Sequence, residues 1–269
     1  MLVNYIYKNI FKYTLINIIS YMKSLINYVS EKLVINKNYK NAYTYFPKTF
    51  DELRKVIEDK YNKLGPGTEQ KPVYFNDIDV SGMTIFYDEK RSYGVFQGTN
   101  FRYIDISDWN VSNVKNMRQM FFNCTHLKSV DLSDWDMQNA EVLTRMFEKC
   151  IKLKSVGDLS KWDVSKIEDV SSMFRNCYEL EYIGNLSNWK VSAFKYMYGM
   201  FDFCEKLKSV GDLSKWNVSS AEDIGTMFRN CTNLKSVGDL SKWNVSSVCC
   251  IGRMFDGSGI TNIPDWSNG

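Results

Sequence analysis

The chain has 269 residues and a net charge of +3, so its basic excess is too small to argue for nucleic acid as a partner. It holds one histidine, His126, which leaves little from which to build a histidine-based catalytic or metal site. Its seven cysteines cannot all pair within one chain, and no run approaches the roughly 18 uninterrupted apolar residues of a membrane-spanning helix.

Residues 1–45 are rich in Ile, Tyr, Asn and Lys and contain neither Gly nor Pro. Leu15, Ile18, Ile19, Met22, Leu25, Ile26, Val29 and Leu33 form a helical stripe, with Lys12, Lys23, Asn27 and Glu31 tending to the other face. Three readings stay open for this segment: a signal or anchor, a helix lying on a membrane through residues 1–35, or a helix packed against the rest of the chain or a partner. Asn17 and Ser20 interrupt the best apolar core, and no small-residue cleavage site follows.

Residues 46–100 read as an N-terminal cap. Phe50, Leu53, Val56, Ile57, Tyr61 and Leu64 share one face of an amphipathic helix, which Gly65-Pro66-Gly67 stops. Asn76 to Ser81 then resembles a degenerate first copy of the pattern that follows.

From residue 101 to 269 the chain repeats. Trp109, Trp135, Trp162, Trp189, Trp216 and Trp243 are spaced by 26 and then 27 residues, and Trp266 follows after 23. Met-Phe pairs keep the same beat from Met120-Phe121 to Met254-Phe255, and Cys124, Cys150, Cys177, Cys204 and Cys231 each follow three residues after a Phe. A period of this size means stacked units, none large enough to bury its own apolar face. Gly157, Gly184, Gly211 and Gly238 account for the extra residue of the later units and mark a bulge or a positive φ.

Within a unit, Ser165 and Glu168 have the spacing of a capping box, and Ile167, Val170, Met173, Phe174 and Cys177 read as one face of a short helix. The same reading covers Val114 to Cys124 and Phe194 to Cys204. A Leu-x-x-Val run such as Leu153 to Val156 then supplies a short strand. The expected fold is therefore an α/β repeat solenoid, leucine-rich-repeat-like, with short parallel strands and short helices in about six units.

The string Ile106-Ser107-Asp108-Trp109-Asn110-Val111-Ser112-Asn113-Val114-Lys115-Asn116-Met117, followed by Met120-Phe121, resembles the bacterial surface-protein repeat of the BspA-like leucine-rich-repeat family. The stretch from Pro47 through Asp79 resembles the segment that commonly precedes those repeats. The resemblance implies a non-enzymatic protein-binding solenoid, often surface-displayed or secreted. It does not name a ligand.

Each ladder has a plain structural reading beside a sharper one. The cysteines are too far apart for zinc pairs and read as free, buried thiols, with Cys249-Cys250 as reduced vicinal thiols. Free thiols and the missing signal point to an intracellular place, where the resemblance points to the surface. The tryptophans read as core, against an exposed stripe for glycans or peptides. Asp105, Asp131, Asp158, Asp212 and Asp239, with Asn185 in the same column, read as turn-formers rather than a calcium stripe. Lys128, Lys152, Lys154, Lys161, Lys206, Lys208, Lys215, Lys235 and Lys242 face solvent. Six glycosylation sequons fall on packed or turn-forming positions, which argues mildly against a glycosylating secretory route.

No acid–base or nucleophile constellation recurs or converges, so no catalytic residue, cofactor or metal ligand is assigned. The partner expected is another protein, of the host or cell surface. Units differ most at Asp136, Tyr178, Glu179, Glu181, Lys190 and Phe203, which are the candidate contacts.

Overall fold

The structure, a computed structural model, describes residues 43–268. The described residues from Tyr45 onward form one compact unit. Tyr45 thus belongs with the repeats, through a parallel bridge to Ile78. The helical stripe and membrane contact read over residues 1–35 lie outside the described residues.

One α-helix occurs among the described residues, α1 (Phe50–Leu64). Thr49 caps it by accepting from the Glu52 amide, and the Glu52 carboxylate accepts from the Lys48 amide one residue before the cap. Gly65, at φ 73°, ends it. Leu53 and Ile57 are fully buried, whereas Leu64 is 52% exposed and leaves the apolar face. Lys60 is drawn inward by Asp77, whose two oxygens both lie 2.8 Å from its Nζ, and it also donates to the Tyr74 carbonyl.

The first unit is in register with the rest. β1 (Val73–Tyr74) pairs in parallel with β4 (Ile104–Asp105), and the Trp109 indole donates to the Phe75 carbonyl. A hairpin of β2 (Tyr87–Asp88) and β3 (Tyr93–Gly94) is inserted between Phe86 and Val95. It sits where later units run directly from Met117 to Met120.

The short helices expected in each unit do not form. The segment from Met117 to Cys124 is a chain of turns, with N–H groups of Met120, Phe122 and Cys124 donating to carbonyls three residues back. The N–H groups of Met117, Gln119, Phe121 and Asn123 instead leave the unit, donating to Val142, Thr144, Met146 and Glu148 at 2.8–3.0 Å. Leu143, Arg145, Phe147 and Lys149 repeat this toward Asp169, Ser171, Met173 and Arg175. Positive φ makes the alternation work. It occurs at Gln119 and Asn123, Arg145 and Lys149, Ser172 and Asn176, Gly199 and Phe203, Thr226 and Asn230, and Arg253 and Gly257. A left-handed residue at every fourth position excludes an α-helix and turns alternate peptides toward the neighbouring unit. Ser165 and Glu168 accordingly form no capping box: the Ser165 amide donates to Asp163, and Glu168 pairs with Lys195.

Parallel bridges join successive units along two columns, Tyr103–Ser129–Ser155–Tyr182 and Ile85–Asn116–Val142–Asp169–Tyr196–Asp223–Cys250. Between them lies the core. Phe96, Phe121, Phe147, Phe174, Phe201, Phe228 and Phe255 stack with centroids 4.9–5.9 Å apart. The indoles of Trp162, Trp189, Trp216, Trp243 and Trp266 stack at 6.2–6.5 Å. Every repeat tryptophan donates its N–H to a carbonyl of the unit before, as Trp189 does to Leu159 at 2.8 Å, so ring burial leaves no polar group unpaired. The five cysteines of the ladder are buried and do likewise, each Sγ donating to a Phe carbonyl one unit back at 3.0–3.1 Å.

Gly184 shows why the inserted residue is glycine. Its φ is +92°, and a Cβ there would collide with Oδ1 of Asp158. That oxygen is occupied in accepting from the Ser160 amide, and Asp131, Asn185, Asp212 and Asp239 bond the amide two residues on in the same way.

Candidate partner-binding face

The outward positions along and beside the second bridge column carry the chemistry that varies. The column Asn116, Val142, Asp169, Tyr196, Asp223, Cys250 changes from amide to aliphatic, acid and phenol, while the interior columns hardly change. Tyr196 is 39% exposed and its hydroxyl donates to Glu222 at 2.9 Å, which pushes the phenol up from its ordinary value. In the column beside it, Lys115 pairs with Glu141 and Lys195 with Glu168, both at 2.8 Å. The bond to Glu168 raises the Lys195 ammonium.

The residue after each Met-Phe pair makes a third column: Phe122, Glu148, Arg175, Asp202, Arg229, Asp256. Its sign alternates from Glu148 onward. Asp202, fully buried, receives a two-point contact from Arg229 at 2.8 and 2.7 Å, and Arg175 approaches it at 3.2 Å. The Asp202 hydrogen bonds raise the Arg229 guanidinium further. A carboxylate taken wholly out of water needs such paired donors, and losing one partner of a buried pair costs about 3–5 kcal/mol.

Six buried side-chain atoms make no well-formed hydrogen bond among the described residues: Arg118 Nε, Gln119 Oε1, Thr144 Oγ1 and Thr226 Oγ1, which have no partner, and Arg175 Nε and Glu148 Oε2, which have only ion-pair contacts, to Asp202 at 3.2 Å and Arg145 at 3.3 Å. All six belong to residues two, three or six positions after the Asn116 column, on one side of the stack.

The structure brings four of the six sequence candidates together. The Tyr178 and Phe203 rings meet edge to face at 6.3 Å, and Arg229 lies over the Phe203 ring at 5.3 Å. Glu179 pairs with Lys206 and Glu181 with Lys208, each at 2.7 Å across adjacent units. The Lys208 bond holds the Glu181 carboxyl below its ordinary value. Asp136 and Lys190 are exposed in another column, following the tryptophans, and the Asp136 carboxylate is engaged by the Gln138 amide. Sequence reasoning missed Tyr196, Asp202 and Arg229. The signal for Asp202 and Arg229 was present in the alternating sign after Met-Phe, visible once units are aligned by their tryptophans.

A surface depression of about 290 Å³ lies between α1 and the loop around Gly98 to Phe101, and its one carboxylate, Glu58, is paired with Arg54. Among the described residues no three His, Cys, Asp or Glu side chains converge as metal ligands, and no helix is long and apolar enough to cross a membrane.

A chain of hydrogen-bonded repeat units with a constant interior and a varied outer face is the class of protein these features define. The chain belongs to the family described as "Mycoplasma protein of unknown function, DUF285", which matches residues 90–209 and again 153–266. Two overlapping matches are what a sequence with internal repeats produces. No curated protein and no solved structure matches the chain.

Proposed function

We propose that this protein is a leucine-rich-repeat-like solenoid that binds another protein without catalysis, displayed at a cell surface or secreted as its resemblance to the BspA-like repeats implies. The carrying observation is the coincidence, on one face, of the most varied outward columns with four buried polar atoms that have no partner among the described residues, Arg118 Nε, Gln119 Oε1, Thr144 Oγ1 and Thr226 Oγ1. Buried donors and acceptors are satisfied in folded proteins as a rule, so a strip of unsatisfied ones suits a surface that a partner covers. Tyr178, Tyr196 and Phe203 would supply the aromatic anchors of such an interface, and Arg229 its cation. A stack of rigid units holds these groups in place without reorganisation on binding.

The test is affinity capture from surface extracts with the wild-type protein and with a Tyr178→Ala/Tyr196→Ala variant, whose thermal melt controls for folding. A protein retained by the wild type and lost by the folded variant supports the reading. Equal retention by both, or none by either, overturns it. The apolar stripe at Leu15 to Leu33 favours a second reading, attachment to a membrane. Flotation of the full chain with liposomes, compared with residues 46–269, separates the two.

A further inference from the structure

Seven thiols divide sharply into two groups. Five are buried, donate to backbone carbonyls, and occupy the core ladder; Cys249 and Cys250 are exposed. Their sulfurs lie 3.3 Å apart, inside van der Waals contact, so the two adjacent side chains have turned toward one another. Backbone contacts hold them there. The Cys249 amide donates to the Glu222 carbonyl at 2.8 Å, its Sγ reaches the same oxygen at 3.2 Å, and the Cys250 carbonyl accepts from Ile224 at 3.0 Å. Equivalent positions in the other units hold Lys115-Asn116, Glu141-Val142, Glu168-Asp169, Lys195-Tyr196 and Glu222-Asp223. The outer column therefore offers a solvent-facing place to any side chain, and only in this unit are both places taken by sulfur.

We propose that Cys249 and Cys250 form a redox-active vicinal dithiol whose substrate is a low-molecular-weight disulfide. One thiolate attacks a sulfur of the small disulfide, breaking its S–S bond and expelling one small thiolate. The protein then carries a mixed disulfide. The neighbouring thiolate attacks the protein sulfur of that mixed disulfide and expels the second small thiolate. Both protein S–H protons are released, the small disulfide is reduced to two thiols, and the protein loses two electrons as the Cys249–Cys250 bond forms. The second step is intramolecular, and the 3.3 Å approach places its nucleophile beside the sulfur it must reach. Burial keeps the five ladder cysteines out of this exchange.

The experiment uses the full chain, reduced and folded, exposed to oxidised glutathione and followed by intact mass and peptide mapping. The wild type is expected to lose two hydrogens, retain no glutathione, and map the link to the Cys249–Cys250 peptide. The five other thiols should alkylate only after denaturation. Cys249→Ser and Cys250→Ser, both at exposed positions, should each accumulate a persistent glutathione adduct because the resolving thiol is gone. Phenylarsine oxide, which bridges two neighbouring thiols, should block the wild-type reaction at one equivalent. Stable glutathione adducts on the wild type, a covalent dimer between chains, or no reaction in the wild type would each overturn the proposal.

Discussion

Positive φ away from glycine is the feature that governs single residues here. Left-handed backbone costs an ordinary L-residue about 1–2 kcal/mol, most for a β-branched one. Thr226 adopts it at φ 51°, is 6% exposed, and leaves its Oγ1 without a hydrogen bond. The equivalent position one unit earlier is Gly199, at φ 58°. Thr226→Gly should therefore raise stability by about 1 kcal/mol, because strain and an unsatisfied hydroxyl vanish together while some packing is lost. Denaturant unfolding checks this, and a midpoint at or below wild type would contradict the strain argument. None of this was legible from the residue itself, since Gln119, Arg145, Ser172 and Thr226 share no chemistry that announces a left-handed backbone. Only alignment with Gly199, by its unit position, hints at it.

At the scale of elements, α1 closes one end of the hydrogen-bonded stack. In later units the carbonyls at the Met120 and Phe122 positions accept from the unit before, as Met120 does from Phe96 and Phe122 from Gly98. The corresponding carbonyls of the first unit, Val95 and Gln97, instead accept from the Arg54 guanidinium at 2.8 and 3.2 Å. One nitrogen, Nη1, stands in for two backbone donors. Arg54→Ala should cost about 1–3 kcal/mol by orphaning the Val95 carbonyl, since Gln97 keeps the Tyr93 hydroxyl, read as a loss of about 2–10 °C in melting temperature. Arg54→Lys should recover only part of this, because a single ammonium cannot also hold Glu58 and the Tyr93 hydroxyl as the Nε and Nη2 of Arg54 do. A melt unchanged by Arg54→Ala would show the cap to be idle. The helix was readable from its apolar face and its glycine stop, but the role of Arg54 was not, since its partners lie 41 and 43 residues away.

The unit interior teaches the opposite lesson about elements. Val111, Val114, Met117 and Met120 fall at a strict step of three, as do Phe121, Cys124, Leu127 and Val130. A step of three turns about 300° on an α-helix, so a helical stripe would drift by about 60° at each step. The constant step was the available sign that these segments are turns. The capping-box spacing at Ser165 and Glu168 outweighed it in the sequence reading, though nothing in the chain's local propensity excludes a helix there.

For the whole molecule, the ladders fix how stability responds to pH. Amide donors at Ser160, Ser214 and Ser241 hold Asp158, Asp212 and Asp239 below the ordinary carboxylate value. Their contribution is complete above the unfolded value near pH 4 and is lost as pH falls through the lower folded values. Burial pushes the thiols of Cys150, Cys177, Cys204 and Cys231 up, so the folded chain keeps protons that the unfolded chain releases above about pH 8.5. That contribution is complete below about pH 8.5 and is lost as pH rises further. Unfolding midpoints from pH 3 to 10 should form a plateau bounded on both sides, and a flat alkaline limb would refute the role of the buried thiols.

The sequence by itself determined the number of units, their register and the identity of the core, because a repeated side chain must stack on its own copy to be buried. Only the tertiary structure decided how the backbone passes between those side chains. The peptides that bond from unit to unit take their direction from partners 24 or more residues away, and left-handed residues are tolerated where those bonds over-determine them. The outer face follows the same division. Its variability was written in the chain, whereas the convergence of Tyr178 on Phe203, of Arg175 and Arg229 on Asp202, and of Cys249 on Cys250 came from the stacking.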